Sequence, residues 1–105
     1  MEENFGLSFK TTEKINSVFQ NHPQIDKAII YGSRAKGSYK RGSDIDITLV
    51  GENLTITELF KIENELDDLL LPYMIDLSIY HKLKSEGLIE HIQQYGKELY
   101  ANVKV

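Results

Sequence analysis

The segment 32–46, which reads GSRAKGSYKRGSDID, carries at its two ends the residue types that phosphate chemistry needs. A tight Gly32-Ser33 turn at the start of a helix offers backbone N–H groups and a hydroxyl to phosphate oxygens. Asp44 and Asp46 are two residues apart on a predicted strand, so their carboxylates point to one face and can hold magnesium ions. The spacing therefore predicts a site where phosphates meet divalent cations.

Residues 32–43 hold four cations, Arg34, Lys36, Lys40 and Arg41, and no acid, although the whole chain has a net charge of −4. A basic island in an acidic protein indicates a local anion site rather than a general nucleic-acid surface, so we expect no direct nucleic-acid binding. We expect Arg34, Lys36 or Arg41 to offset charge on a leaving pyrophosphate. Ser43 is expected to bind a phosphate or to orient the loop.

The composition is that of an ordinary globular protein of 105 residues, with 41% hydrophobic and 27% charged residues. The absence of cysteine excludes disulfides, thiolate zinc sites and cysteine nucleophiles. No apolar run approaches the length of a membrane span, and the acidic N-terminus is unlike a signal peptide. We therefore expect one domain over residues 1–105, located in the cytoplasm and without membrane association.

The hydrophobic pattern predicts helices and strands that alternate around the segment 32–46. This order predicts a small α/β domain, with a mixed sheet of three or four strands and helices packed on one face. The predicted strands are 27–31, 45–50 and 73–80, the predicted helices are 8–21, 55–70 and 86–95, a short helix or turn is expected at 34–39, and a short strand or coil at 99–100.

A third acidic residue, Asp76, lies in the middle of the strand predicted over 73–80. We expect it to share the open face of the sheet with Asp44 and Asp46, where three carboxylates repel one another unless divalent cations neutralise them. In two-metal phosphoryl or nucleotidyl transfer such ions clamp the attacking and leaving oxygens. Asp76 would help to deprotonate the acceptor hydroxyl. Two aspartates do not select magnesium over manganese, so either ion is compatible with this pattern.

The Gly32-Ser33 pair, ten further residues and Asp44-Ile45-Asp46 together resemble the signature of the polymerase-beta-type nucleotidyltransferases. The flanking sequences, YGSRAKGS at 31–38 and GSDIDITLV at 42–50, look most like the minimal nucleotidyltransferases of bacteria and archaea. The resemblance covers nearly the whole chain, because the order of elements also fits that small domain.

The resemblance implies a role for each residue of the pattern. Lys36 stands where many relatives have arginine, which changes the phosphate geometry but keeps the charge. The metal ligands and catalytic residues implied are Asp44, Asp46 and Asp76, with two magnesium ions and ATP as nucleotide donor, and the nucleotide-binding residues expected are Gly32, Ser33, Arg34, Lys36, Arg41 and Ser43.

Members of this minimal group are often encoded beside a small helical HEPN-domain protein, which is typically a ribonuclease toxin. The nucleotidyltransferase acts as the antitoxin, and some members transfer AMP from ATP onto a tyrosine of the partner. The resemblance thus implies a magnesium-dependent enzyme that modifies a hydroxyl of a HEPN partner within a homo- or hetero-oligomer. Two alternatives stay open: a non-catalytic nucleotide-binding module that neutralises its partner by complex formation, and a small-molecule nucleotidyltransferase of the antibiotic-modifying kind.

The histidines show no spacing typical of a metal site. His22 precedes a proline at a helix end, and His91 lies beside Glu90 on the last predicted helix. We therefore expect these two, together with His81, to be structural or solvated.

Overall fold

The computed structural model of the protein describes residues 3–103. Within that range no helix is both long and apolar enough to span a bilayer. The elements in chain order are β1 (Glu3–Asn4), β2 (Leu7–Ser8), α1 (Phe9–Gln20), β3 (Lys27–Tyr31), α2 (Ser33–Lys36), β4 (Ile45–Val50), α3 (Ile56–Asp67), β5 (Ile75–Ile79), a 3₁₀ turn (Tyr80–Lys82), α4 (Glu86–Tyr95) and β6 (Lys97–Ala101).

Four strands form the mixed sheet in the order β5-β4-β3-β6. Strand β3 pairs antiparallel with both β4 and β6, whereas β4 pairs parallel with β5. This confirms the predicted α/β class and the four-strand form of the mixed sheet. The register aligns Tyr31 with Asp46, and Asp46 with Asp76, so these three residues form one row across the sheet.

Polar caps start the three long helices. The side chains of Ser8, Thr55 and Ser85 each accept a hydrogen bond from the backbone N–H three residues later. The helix predicted over 55–70 is too long at its C-terminal end, because α3 ends at Asp67. Leu70 has a φ of 54°, which reverses the chain and leaves that side chain exposed. A helix cannot continue through such a residue.

The main core lies between one face of the sheet and helices α1 and α3. Its side chains include Phe19 and Ile62 from these helices and Ile30 and Ile47 from the central strands, all fully buried. Strand alternation sends every second side chain to this face, so that the hydrophobic residues of β3 and β4 meet the apolar stripes of the two helices.

The position of α4 corrects one detail of the prediction, which placed all helices on one face. The strands also turn Ile29 and Val50 to the opposite face, and α4 covers part of that face. Ile92 is buried there and lines a cavity with Ile29 and Val50. Apolar side chains on both faces of the central strands favour cover on both sides. Helix α4 therefore lies on the same side of the sheet as Asp46.

A two-residue hairpin precedes α1 and was not predicted from the sequence. Strands β1 and β2 pair antiparallel around Phe5 and Gly6, which have φ values of 60° and 74°. Such positive values at both central residues are typical of a tight hairpin turn. Leu7 of β2 is fully buried, and the ring of Tyr39 packs against Gly6. The hairpin thus packs against the loop 37–44, which follows α2.

Candidate functional site

Asp46 and Asp76 occupy equivalent positions on the adjacent parallel strands β4 and β5. Neighbouring strands lie about 4.8 Å apart, so the two carboxylates share one face at short range. Asp44 is exposed just before β4. Burial raises the pKa of Asp46 above its ordinary value, and the charges of Asp76 and then Asp44 raise it further, while His91 opposes them. The structure thus brings the three acids into one electrostatic cluster, as expected.

Gly32 packs against the carboxylate of Asp46. A Cβ at position 32 would overlap the Oδ2 atom of Asp46. The backbone of Gly32 has φ 76° and ψ −155°, a region that is essentially reserved for glycine. Both the conformation and the space therefore require glycine here. The Gly-Ser turn and the acidic strand, which are separated in the sequence, form one continuous surface.

The sequence predicts that the N–H groups and the hydroxyl of the Gly32-Ser33 turn face a phosphate, and the structure leaves only some of these donors free to do so. The N–H of Gly32 donates to Nε2 of His91 at 3.1 Å, so in this structure it faces α4. The carbonyl of Gly32 accepts from the N–H of Lys36, which closes the single turn of α2. Ser33 begins that turn and is half-buried. Of the predicted Gly-Ser pair, Ser33 and the first turn of α2 remain the candidates for phosphate contact.

The sequence predicts that Arg34 contacts phosphate, but in the structure its side chain is buried. It is only 2% exposed. Its Nε and Nη2 atoms donate to the carbonyl of Ser43 at 3.1 and 2.8 Å, and Nη1 donates to the carbonyl of Phe5 at 2.9 Å. The guanidinium also lies between the rings of Tyr39 and Tyr73, at 5.3 and 4.9 Å from their centroids. Arg34 therefore fixes the loop 37–44 to the hairpin.

The other basic residues lie nearer to solvent. Lys40 and Arg41 are exposed and line a cavity of about 380 Å³ beside Arg34. The ammonium of Lys36 lies 5.1 Å from the ring centroid of Tyr95 on α4. Ser43 accepts a hydrogen bond from the N–H of Lys40 through its Oγ atom at 2.8 Å. Of the two roles expected for Ser43, the structure shows the loop-orienting one.

The acids fit a divalent cation that keeps much of its water. Within residues 3–103, no group of three or more His, Cys, Asp or Glu side chains is close enough to enclose a metal ion. Asp46 and Asp76 nevertheless lie side by side. Burial, followed by the charge of Asp76, raises the pKa of Asp46, and a bound cation would favour the ionised carboxylate against both effects. Magnesium usually takes one or two carboxylates and completes its octahedron with water and phosphate oxygens.

Two residues of the site, His91 and Tyr31, were not predicted as functional from the sequence. The His91 ring lies edge-on to Tyr31, with the centroids 6.2 Å apart. Burial raises the pKa of Tyr31 above its ordinary value; a hydrogen bond with Ser78 opposes this, and the charges of Asp76 and Asp46 add to it. The partners of His91 lie far away in the sequence, so no local pattern could identify it.

Comparisons with known proteins agree with this geometry. Residues 13–104 match the model of the family described as "Polymerase beta, Nucleotidyltransferase". A protein of Methanocaldococcus jannaschii named "Putative protein adenylyltransferase" is 35% identical over 79 residues, which cover 72% of this chain and 80% of that protein.

Solved structures share the fold. A toxin-antitoxin structure with AMP-PNP superposes with a TM-score of 0.70 at 24% identity, over 87% of this chain and 73% of the other. A structure of a tri-AMPylated Shewanella oneidensis HEPN toxin with its MNT antitoxin gives a TM-score of 0.65 at 21% identity, over 89% and 71%.

Proposed function

The chain belongs to the polymerase beta nucleotidyltransferase family, and we propose that this nucleotidyltransferase transfers AMP from ATP to a hydroxyl group of a partner protein. The observation that carries the proposal is the contact of Gly32 with Asp46, which lies beside Asp76. It joins a phosphate-binding turn to a pair of carboxylates, the combination that nucleotidyl transfer requires. The adenylyltransferase name of the archaeal relative supports AMP as the transferred group.

The reaction is an in-line attack of the acceptor oxygen on the α-phosphate of ATP, with pyrophosphate as the leaving group. Asp46 and Asp76 would hold magnesium, with Asp44 beside them, and the bound ion would supply positive charge to the phosphate oxygens. Asp76 is exposed on the edge strand β5, where it can accept the proton of the attacking hydroxyl.

The triphosphate would lie along the turn that begins at Gly32. Ser33 and the N–H groups of the first turn of α2 would bind its oxygens. Lys40 and Arg41 would neutralise the departing pyrophosphate from the open cavity beside the loop. Arg34 would hold that loop in place from below through its bonds to Ser43.

The partner we propose is a HEPN-domain toxin, so that the protein acts as an antitoxin. The solved structures with the shared fold support this, because they include a toxin-antitoxin structure with AMP-PNP and an AMPylated HEPN toxin in complex with its MNT antitoxin.

The test is label transfer to the protein encoded in the neighbouring reading frame. ATP labelled at the α-phosphate, with magnesium, should label the partner, whereas ATP labelled at the γ-phosphate should not. An Asp44→Ala/Asp46→Ala variant should leave the partner unlabelled. Label from γ-phosphate, or transfer that survives the double substitution, would contradict the proposed reaction and metal site.

A further inference from the structure

We propose that His91 is a positioning residue that sets the conformation of the nucleotide-binding turn through its bond to Gly32. The inference rests on the proposed function, because it assigns the turn to the triphosphate. The bond joins α4 to the turn across 59 sequence positions, with a donor–acceptor distance of 3.1 Å. Since the Gly32 nitrogen is the donor, Nε2 of His91 must be the acceptor and carries no proton.

The imidazole ring of His91 contacts two tyrosine rings. Its centroid lies 5.2 Å from that of Tyr95, at an interplanar angle of 46°. It lies nearly perpendicular to Tyr31, at 77°. Aromatic pairs at such distances favour offset or edge-on arrangements. These contacts restrict the orientation of the ring whose Nε2 atom accepts the bond from Gly32.

The turn leaves the N–H of Gly32 without a partner inside α2, because Gly32 precedes the first residue of that helix. Gly32 has ψ −155° with a positive φ, and the Asp46 carboxylate packs against it. The Gly32 N–H is also partly removed from water, and a donor without an acceptor there costs free energy. By taking this N–H, His91 fixes the peptide plane between Tyr31 and Gly32, one residue before Ser33. The following N–H groups and the Ser33 side chain then keep one orientation toward the triphosphate.

Two substitutions separate the acceptor from the ring. His91→Phe keeps a ring between the tyrosines and removes the acceptor, whereas His91→Gln replaces the ring and offers a carbonyl oxygen to the Gly32 N–H. We expect H91F to weaken Mg-ATP binding about three- to tenfold, the equilibrium effect of one hydrogen bond. We expect H91Q to bind within about twofold of wild type. His81→Phe, at an exposed histidine, is the matched control and should bind ATP as wild type does.

Calorimetric titration of the full chain with Mg-ATP measures these affinities, and thermal unfolding shows that the variants fold. Equal affinities for wild type and H91F, or a loss in H91Q as large as in H91F with both folded, would overturn the inference. The second result would indicate that a hydrogen-bond acceptor at position 91 does not by itself restore ATP binding.

The bond itself is measured without ATP. In uniformly ¹⁵N-labelled protein, a coupling across the hydrogen bond should connect the Gly32 nitrogen with His91 Nε2. Absence of that coupling would overturn the role of His91 even if label transfer to the partner succeeds. Its presence in a protein that transfers no label would overturn only the proposed function, so the two failures are distinguishable.

Discussion

The carboxylate of Asp46 fills the space into which any side chain at position 32 would project. This contact joins the two ends of the segment 32–46, the Gly-Ser turn and the acidic strand. The Asp46 carboxylate thus packs against the backbone of Gly32, which carries no side chain. Each prediction below tests one consequence of this arrangement.

Gly32→Ala should remove transferase activity and destabilise the protein by more than Gly37→Ala does. Both glycines have positive φ, 76° and 82°, but a Cβ at Gly37 meets no atom within 4 Å. G37A is therefore expected to pay only the left-handed strain, about 1–2 kcal/mol. G32A adds the overlap with Asp46 and a ψ that alanine avoids. Urea unfolding and label transfer measure both effects; equal losses in the two variants would contradict the steric account.

Asp46→Asn should stabilise the protein at neutral pH when divalent cations are absent. Burial and the charges of Asp76 and Asp44 raise the pKa of Asp46, so the folded state disfavours the ionised carboxylate. The resulting loss of stability develops as the pH rises from the ordinary pKa of Asp46 through the raised one. Removing the charge removes the loss. Thermal unfolding in chelator-treated buffer measures the difference.

Magnesium should make wild type more stable than D46N, the opposite of the order expected without divalent cations. We expect added magnesium to raise the melting temperature of wild type more than that of D46N, because binding to the folded state stabilises it. Sodium chloride at equal ionic strength controls for screening, and Glu52→Gln, at an exposed turn acid, controls for a lost negative charge. An equal magnesium effect in wild type and D46N would contradict the assignment of Asp46 as a ligand.

His22 should make the contact between α1 and α3 sensitive to pH. Its Nδ1 atom contacts Glu58, and its Nε2 atom lies 3.0 Å from both carboxylate oxygens of Glu65. Burial alone would lower the pKa of His22, but the hydrogen bonds and charges of the two glutamates raise it above 6.5. The protonated form is therefore favoured in the folded state, and its contribution is present below pH 6.5 and lost as the pH rises through the raised pKa.

His22→Gln should accordingly destabilise the protein more at about pH 5.5 than at about pH 8.5. The free energy of unfolding in urea, measured for both proteins at the two pH values, gives the difference. His81→Gln, at an exposed histidine, should show no such pH dependence. A larger effect of H22Q at the higher pH would show that His22 acts as a neutral group.

Arg34→Lys should destabilise the protein by about 2–3 kcal/mol, because lysine cannot reproduce the paired bonds to the Ser43 carbonyl or the planar contact with two rings. Arg41→Lys is the matched control in the same loop, since Arg41 is exposed. It should change the stability by less than about 0.5 kcal/mol. Urea unfolding decides the matter, and equal costs for the two substitutions would refute the anchoring role of Arg34.

Local sequence signals were sufficient for most of the fold. Strands β3 and β4 have the predicted bounds, because a short apolar run and a clear alternation mark them. Hydroxyl residues before an apolar helical repeat satisfy the first N–H groups, so Ser85 is recognisable as a cap, whereas the pattern allows Thr55 or Thr57 for α3, and the structure uses Thr55. The motif at 32–46 located the site for the same reason: its residues lie close together in the chain.

The sequence does not reveal hydrogen bonds between residues that are distant in the chain or that involve backbone carbonyls. Arg34 bonds to the carbonyls of Phe5 and Ser43, and backbone carbonyls leave no mark in a residue pattern. The bond from Gly32 to His91 depends on the side of the sheet that α4 covers. The hairpin strands are too short for an alternating pattern, so the hairpin was missed as well.

The rate of AMP transfer to the partner, compared between wild type and Asp46→Asn, tests the central claim most directly. Cation-assisted charge neutralisation contributes several kcal/mol to such reactions, so we expect D46N to slow transfer roughly a hundredfold or more. Thermal unfolding should show that the variant remains folded under the assay conditions. A folded D46N protein that labels the partner at the wild-type rate would contradict the account.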